Sequence, residues 1–261
     1  SVDAHYLEHL GFKTCFINTR AGEIAHAIIP EGKNLDACRA LLEEMHAKDP
    51  AFVLGYVPDN DGDRGNIVYI DSTDGSRAKI LEAQEVFALC VRSTLSFHSR
   101  SGAQNLAVAV NGPTSMRIDE IAAGYGARVF RSEVGEANTV NLGDKLRTQG
   151  FSVPILGEGS NGGNITHPAA VRDPVNTLFA LIKLLVLQDT TSPTGKPVPG
   201  LFHLWCKASG QSDKYKKNFT LADIIGTLPV YTTTGVSESR ALLKIQEKDQ
   251  VALKKRFQGI F

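Results

Sequence analysis

The segment Asp59-Asn60-Asp61-Gly62-Asp63-Arg64 holds the densest chemistry in this sequence. Three aspartates at alternate positions, with Gly62 permitting a tight bend, can turn their carboxylates toward one point. Such a cluster repels itself until a cation offsets the charge. Hard oxygen ligands suit Mg²⁺ or Ca²⁺, and Mg²⁺ usually keeps water or phosphate oxygens at its remaining positions. The pattern therefore predicts a divalent-cation site for Mg²⁺, with Asp59, Asp61 and Asp63 as ligands. Arg64 points the same way, because a guanidinium grips a phosphoryl group with two parallel hydrogen bonds.

Two other readings use the same residues. A calcium-binding EF-hand loop wants glycine at its sixth position and glutamate at its twelfth. Here those positions are Arg64 and Ile70, and a strand pattern follows where a helix should, so that reading fails. A phosphatase of the haloacid dehalogenase type has a strand followed by D-x-D-G-T, which Asp59 to Gly62 imitates. Asp63 stands in place of the threonine and Pro58 precedes the would-be nucleophile; this reading is kept as an alternative.

The elements that must hold this loop are legible from periodicity. A short helix to Leu10 is followed by a strand-like stretch from Lys13 to Asn18 and a turn-rich passage to Asn34. Asn34 is placed to cap a helix whose Leu35, Cys38, Leu41, Leu42 and Met45 share one face. Ala51 to Val57 reads as a strand, the acidic loop sits at its carboxyl end, and Ile67 to Ile70 resumes a strand. Ligands gather at strand ends of this kind in open α/β sheets.

A second α/β pattern begins near Ser76 with a long helix centred on Val86 to Leu95. Strands are expected at Leu106 to Val110, Ala127 to Phe130 and Val153 to Leu156, with helices at Met116 to Ala123 and Asn138 to Arg147. The glycine-rich loop Gly157 to Gly163 ends the last strand and carries Glu158 and Ser160. Pro174 suits the first turn of a helix running through Leu187. Thr190 to Asn218 reads as a linker or excursion, and Thr220 caps a short helix closed by Pro229.

Composition narrows the function classes. With 261 residues, 42% hydrophobic, the chain is long enough for two domains. Its 28 Lys and Arg balance 28 Asp and Glu, so no overall field draws it to nucleic acid or to an anionic membrane. The longest apolar stretch, Leu178 to Leu187, is interrupted by Lys183 and is about half the length needed to span a bilayer. No signal-peptide pattern opens the sequence, and Cys15, Cys38, Cys90 and Cys206 are scattered without a CxxC pair. Reduced structural thiols in a cytoplasmic protein are the expectation. Among seven histidines only His5 and His9 fall at i, i+4, a surface coincidence.

The order of motifs resembles the α-D-phosphohexomutases, the phosphoglucomutase and phosphomannomutase family, whose metal loop has the form D-x-D-x-D-R. Asp59, Asp61, Asp63 and Arg64 match it position for position. Arg131 to Glu136 is similar to the family's R-T-x-V-G turn with serine for threonine, Gly157 to Ser160 to the opening of its sugar-binding loop G-E-x-S-G, and Arg172-Asp173 to a later R-D. The resemblance implies a four-domain enzyme of which this chain is the middle: two consecutive α/β domains with mixed sheets. Residues 1–76 would carry the metal loop, 77–189 the sugar loop, and 190–261 would link to a last domain. It also implies an intramolecular phosphotransferase that interconverts hexose 1-phosphate and hexose 6-phosphate through a bisphosphate. Arg64 would steady the phosphoryl group, and Glu158, Ser160 and Glu136 would bind the sugar phosphate.

The family's phosphoserine loop and its phosphate-gripping loop belong to the first and last domains. Ser96 to Ser99 and Arg100 to Gly102 imitate them only faintly and read as a connecting turn, so the chain is expected to be a fragment inactive by itself. Two departures stand out: the sugar loop is one residue longer than usual, at Asn161 to Asn164, which bears on sugar preference, and Asn111-Gly112-Pro113 follows the strand after which some members supply a lysine, which leaves the general acid/base unassigned. A non-catalytic module that binds metal and sugar phosphate is the remaining alternative.

Overall fold

A computed structural model describes residues 2–20, 22–23, 30–59, 61–232, 245–246 and 248–259. Asn60 of the acidic loop and, in the tail expected after Pro229, residues 233–244, 247, 260 and 261 lie outside the described residues. The chain divides into two compact units, Ser1–Tyr231 and Thr232–Phe261.

The first unit opens with α1 (Val2–His9), a 3-10 turn at Gly32–Leu35 and α2 (Asp36–Lys48). The 3-10 turn takes the entry expected to be capped by Asn34, and Leu35 becomes the N-cap residue without a side-chain bond. Lys13 to Asn18 is not a strand. Strands β1 (Leu54–Pro58), β2 (Gly65–Asp71) and β3 (Arg77–Ile80) form an antiparallel sheet in that order. The acidic loop is therefore a hairpin connection between β1 and β2, with Pro58 paired to Gly65, and not the end of a strand in an open parallel sheet. Strand β2 is buried along its whole length. Because side chains alternate across a sheet, Val68 and Ile70 pack with Leu35 and Leu42 beneath α2, while Ile67 and Tyr69 enter the main core.

That main core is built on α3 (Ala83–Arg100), which opens with a reciprocal capping box between Glu82 and Glu85. It is followed by β4 (Leu106–Asn111), α4 (Arg117–Gly124), β5 (Arg128–Ser132), α5 (Glu136–Thr148), β6 (Ser152–Glu158) and β7 (Gly163–Thr166). The sheet order is β5-β4-β6-β7, with β4 parallel to β5 and β6, and β7 antiparallel to β6. Its two faces are covered separately, as a three-layer α/β fold requires. Leu106, Val108, Val110 and Ile155 meet Val86, Ile118 and Ile121 on one side, while Ala107, Ala109 and Leu156 meet Leu146 on the other. The segment Ser96 to Gly102, the faint imitation of two family loops, is the last turn of α3 and the turn after it.

Helix α6 (Pro174–Val186) starts with Pro174 in its first turn, as expected, and Asp173 caps it by accepting from Val175 N–H over 2.9 Å. The small hairpin of β8 (Thr190–Thr191) and β9 (Pro197–Val198) then leads to α7 (Leu201–Ala208) and α8 (Leu221–Ile225). The expected linker is only partly one. Leu201, Phe202, Trp205 and Cys206 are fully buried in the main core, because α7 offers an apolar face to α3. Between them lies Arg92, fully buried, which donates to Ile224 O over 2.8 Å and sits 4.8 Å from the Trp205 ring centre. The second unit contains α9 (Gln250–Gln258), capped by Asp249. Among the described residues no helix is long and apolar enough to cross a membrane, and all four cysteines are free thiols.

Candidate functional site

Asp59 closes the acidic hairpin with its own carboxylate. Its Oδ1 accepts from the backbone N–H groups of Asp63 and Arg64, both over 3.1 Å, and its Oδ2 accepts from Arg64 Nε over 2.8 Å. Gly62, at φ +70°, takes the left-handed conformation that this tight return demands. One carboxylate oxygen from each of Asp59, Asp61 and Asp63 lies within 4.8 Å of the others. Only oxygen donors converge there, the set that hard divalent cations take.

The electrostatics of the loop are unequal. Burial opposes the charge on Asp59, but the Arg64 amide, the bond from Asp63 and the Arg64 guanidinium outweigh it and hold its carboxyl below the usual range. Asp63 shifts upward: burial and the neighbouring Asp59 and Asp61 charges exceed the pull of Arg172. Asp59 and Asp63, four positions apart in one hairpin, are thus shifted in opposite directions. Arg64 is folded back onto the loop, with Nη1 3.7 Å from Glu31.

Glu158, at the carboxyl end of β6, is buried and already well supplied with donors. Its Oε1 accepts from Asn111 Nδ2 and from Gly135 N–H, each over 3.0 Å, and its Oε2 accepts from Asn161 Nδ2 over 3.1 Å. Burial opposes its charge, but these donors and Arg172 overcome that cost and lower the Glu158 carboxyl below its ordinary value. The loop turns so tightly that β7 runs straight back beside β6; a Cβ on Gly157 would lie 2.3 Å from Gly163 O. Among the described residues none hydrogen-bonds the Ser160 hydroxyl. Glu136, the first residue of α5, accepts from Arg172 N–H over 3.1 Å.

The residue that joins the two loops is Arg172. Its guanidinium pairs with Asp63 of the acidic hairpin through Nη2, lies 2.9 Å from Glu136 Oε2 through Nε, and approaches Glu158 Oε2 to 3.7 Å through Nη1. The predicted ligands and the predicted sugar-loop residues thus meet around one cation. Sequence reasoning noted Arg172 only as half of an R-D pair and Asn111 only as a departure. The resemblance to the family's R-D was the signal for the first, and nothing local marks the second.

Residues 82–203 match the family model described as phosphoglucomutase/phosphomannomutase, alpha/beta/alpha domain III. Over that stretch, a little under half of its length, the chain is similar to the third domain of phosphoglucomutases and phosphomannomutases. Solved structures similar to it include a Thermus thermophilus protein assigned as a phosphomannomutase (21% identity, 80% of this chain and 42% of that one, TM-score 0.51). Another is the open form of the phosphoglucomutase pp63/parafusin from Paramecium (16% identity, 76% and 28%, TM-score 0.45). At such identities the first likeness speaks for the fold alone, and the second is too distant to add to it. The chain spans less than half the length of either structure. No curated protein sequence matches it.

Proposed function

We propose that this chain is the central portion of a hexose-phosphate mutase, an intramolecular phosphotransferase that interconverts hexose 1-phosphate and hexose 6-phosphate through a bisphosphate. The observation that carries the reading is the meeting of the acidic hairpin and the sugar loop around Arg172. In this reading residues 1–76 and 77–189 correspond to the second and third domains of such an enzyme, and 190–261 to the lead into the last. The phosphoserine and the loop that grips the substrate phosphate would come from the rest of a longer protein.

Asp59, Asp61 and Asp63 would hold Mg²⁺, consistent with their converging oxygen donors. When bound there, the ion would polarise a phosphoryl oxygen and offset charge in the transition state. Arg64 is tied to Asp59 through Nε, and its Nη groups, of which Nη1 lies 3.7 Å from Glu31, would steady the phosphoryl group. Ser160 would offer the sugar a hydroxyl that no described residue engages, while Glu158 and Glu136 present acceptor-only carboxylates whose positions are set by Asn111, Gly135 and Arg172. The phosphatase alternative is disfavoured because the acidic loop is a hairpin between two antiparallel strands and Asp63 stands where the D-x-D-G-T pattern has threonine.

The test is a coupled assay for glucose 6-phosphate formed from glucose 1-phosphate. The whole protein containing this chain should turn over only with Mg²⁺, and the 261-residue chain alone should not. Phosphate release by the isolated chain would favour the phosphatase. Sugar-phosphate binding by the whole protein without turnover of any hexose phosphate would leave a non-catalytic binding module.

A further inference from the structure

Arg172 stands in an unusual position for a single cation. Three carboxylates from three separate elements surround it: Asp63 from the β1–β2 hairpin, Glu136 from the start of α5 and Glu158 from the end of β6. Its side chain is only 16% exposed, so water screens these pairs weakly. The backbone leaves it little choice of direction, because its own N–H is held by Glu136 and the next N–H, of Asp173, donates to Asn164 O over 3.3 Å. The stem passes so close to the sugar loop that a Cβ on Gly163 would lie 2.5 Å from Arg172 Cδ.

One guanidinium cannot satisfy three carboxylates equally. Its Nε faces Glu136 without the alignment of a hydrogen bond, and Glu158 is reached only at 3.7 Å, whereas the contact with Asp63 is the tightest of the three. The carboxylates therefore compete for it, and any charge that neutralises one releases Arg172 to the others.

Resting on the cation site of the proposed function, we infer that Arg172 is a positioning residue that couples divalent-cation binding at the acidic hairpin to the carboxylates of the sugar loop. A cation that takes Asp63 as a ligand shares that carboxylate with Arg172, loosens its hold there and shifts the guanidinium toward Glu136 and Glu158. By linkage, whatever strengthens Arg172 on Glu136 or Glu158 must favour the cation by the same factor. The chain would thus present an ordered sugar loop when the metal loop is filled.

The coupling is measured by a thermodynamic cycle on Mg²⁺ affinity, followed by calorimetric titration of the isolated chain. Arg172→Gln removes a positive charge beside the site and should tighten Mg²⁺ by about tenfold. Glu136→Gln lies outside the acidic triad, yet it frees Arg172 to lean on Asp63 and should weaken Mg²⁺ by about threefold in the wild-type background and have almost no effect alongside Arg172→Gln. Arg172→Lys keeps the charge without the fork, so Mg²⁺ affinity should stay within about threefold of wild type while the Glu136 effect disappears. This variant also guards against misfolding of Arg172→Gln, since a purely structural Arg172 would let both variants change Glu136 and cation behaviour alike. An equal effect of Glu136→Gln in the wild-type chain and alongside either Arg172→Gln or Arg172→Lys would overturn the coupling while leaving the cation site intact. Absence of Mg²⁺ binding by the wild-type chain would overturn the cation site and the coupling with it.

Discussion

The Asn111 side-chain amide donates to Glu158 Oε1 over 3.0 Å, tying the end of β4 to the end of β6, its parallel neighbour. Asn111 is fully buried and is itself held by the Thr114 hydroxyl, which donates to its Oδ1 over 2.6 Å. Glu158 is thus positioned by a chain of polar contacts that starts on another strand.

The folded Glu158 carboxyl lies below the unfolded glutamate value of about 4.3. Its contribution to stability is therefore complete above that value and is lost as pH falls through the lower folded one. Glu158→Gln should destabilise the chain at pH 7 by about 1.5 to 3 kcal/mol. The gap between variant and wild type should narrow steadily below about pH 4.3, as measured by urea denaturation over a pH series. A gap that stays constant down to pH 3 would show that Glu158 is not held as an ionised acceptor.

Asp61 is exposed, and no other described residue bonds its carboxylate, so its substitution disturbs the fold least among the three acids. Asp61→Asn should weaken Mg²⁺ at least tenfold, since a charged oxygen ligand becomes a neutral one. Its melting temperature without metal should match the wild type, and the rise on adding Mg²⁺ should largely vanish in differential scanning calorimetry. Equal stabilisation of both proteins by Mg²⁺ would remove Asp61 from the site.

Arg92 is a buried cation without a carboxylate partner among the described residues, held by Ile224 O, the Thr227 hydroxyl at 3.1 Å and the rings of Phe202 and Trp205. Arg92→Ala should cost about 3 kcal/mol or more, because it opens a cavity between α3, α7 and α8. Arg92→Met refills much of that volume without a buried charge and should recover at least half of the loss. Chemical denaturation of both variants checks the order; equal losses would mean that the hydrogen bonds, and not the packing, dominate.

Gly157 leaves no room for a side chain, with Gly163 O at 2.3 Å and Phe87 Cε2 at 2.7 Å from any Cβ placed there. Gly157→Ala should force β6 and β7 apart and destabilise the chain by about 2 to 3 kcal/mol. Amide exchange should report the loss first at Gly163 to Thr166, the strand that would be displaced.

The parts legible in the sequence are those whose information is local. Asp59, Asp61 and Asp63 fall within five positions, and a hairpin that short brings their oxygens together whatever surrounds it. The apolar face of α2, the Pro174 helix start and the Thr220 cap were readable for the same reason, since caps and periodicity act within a few residues. Strands β3 and β7 were hidden because each is four residues long and acquires its identity only by pairing with β2 or β6. Helix α7 was mistaken for part of a linker because its neighbours are rich in Pro, Gly and Ser, and its burial depends on α3, more than a hundred residues earlier. The site itself follows the same division. A sequence can state that Asp63, Asn111, Glu136, Glu158 and Arg172 carry charge or hydrogen-bonding groups, but partnership between them spans tens of residues of chain. Only the folding of two sheets against one central helix brings Arg172 between the acidic hairpin and the sugar loop, because a charged group finds its partners through space and not along the backbone.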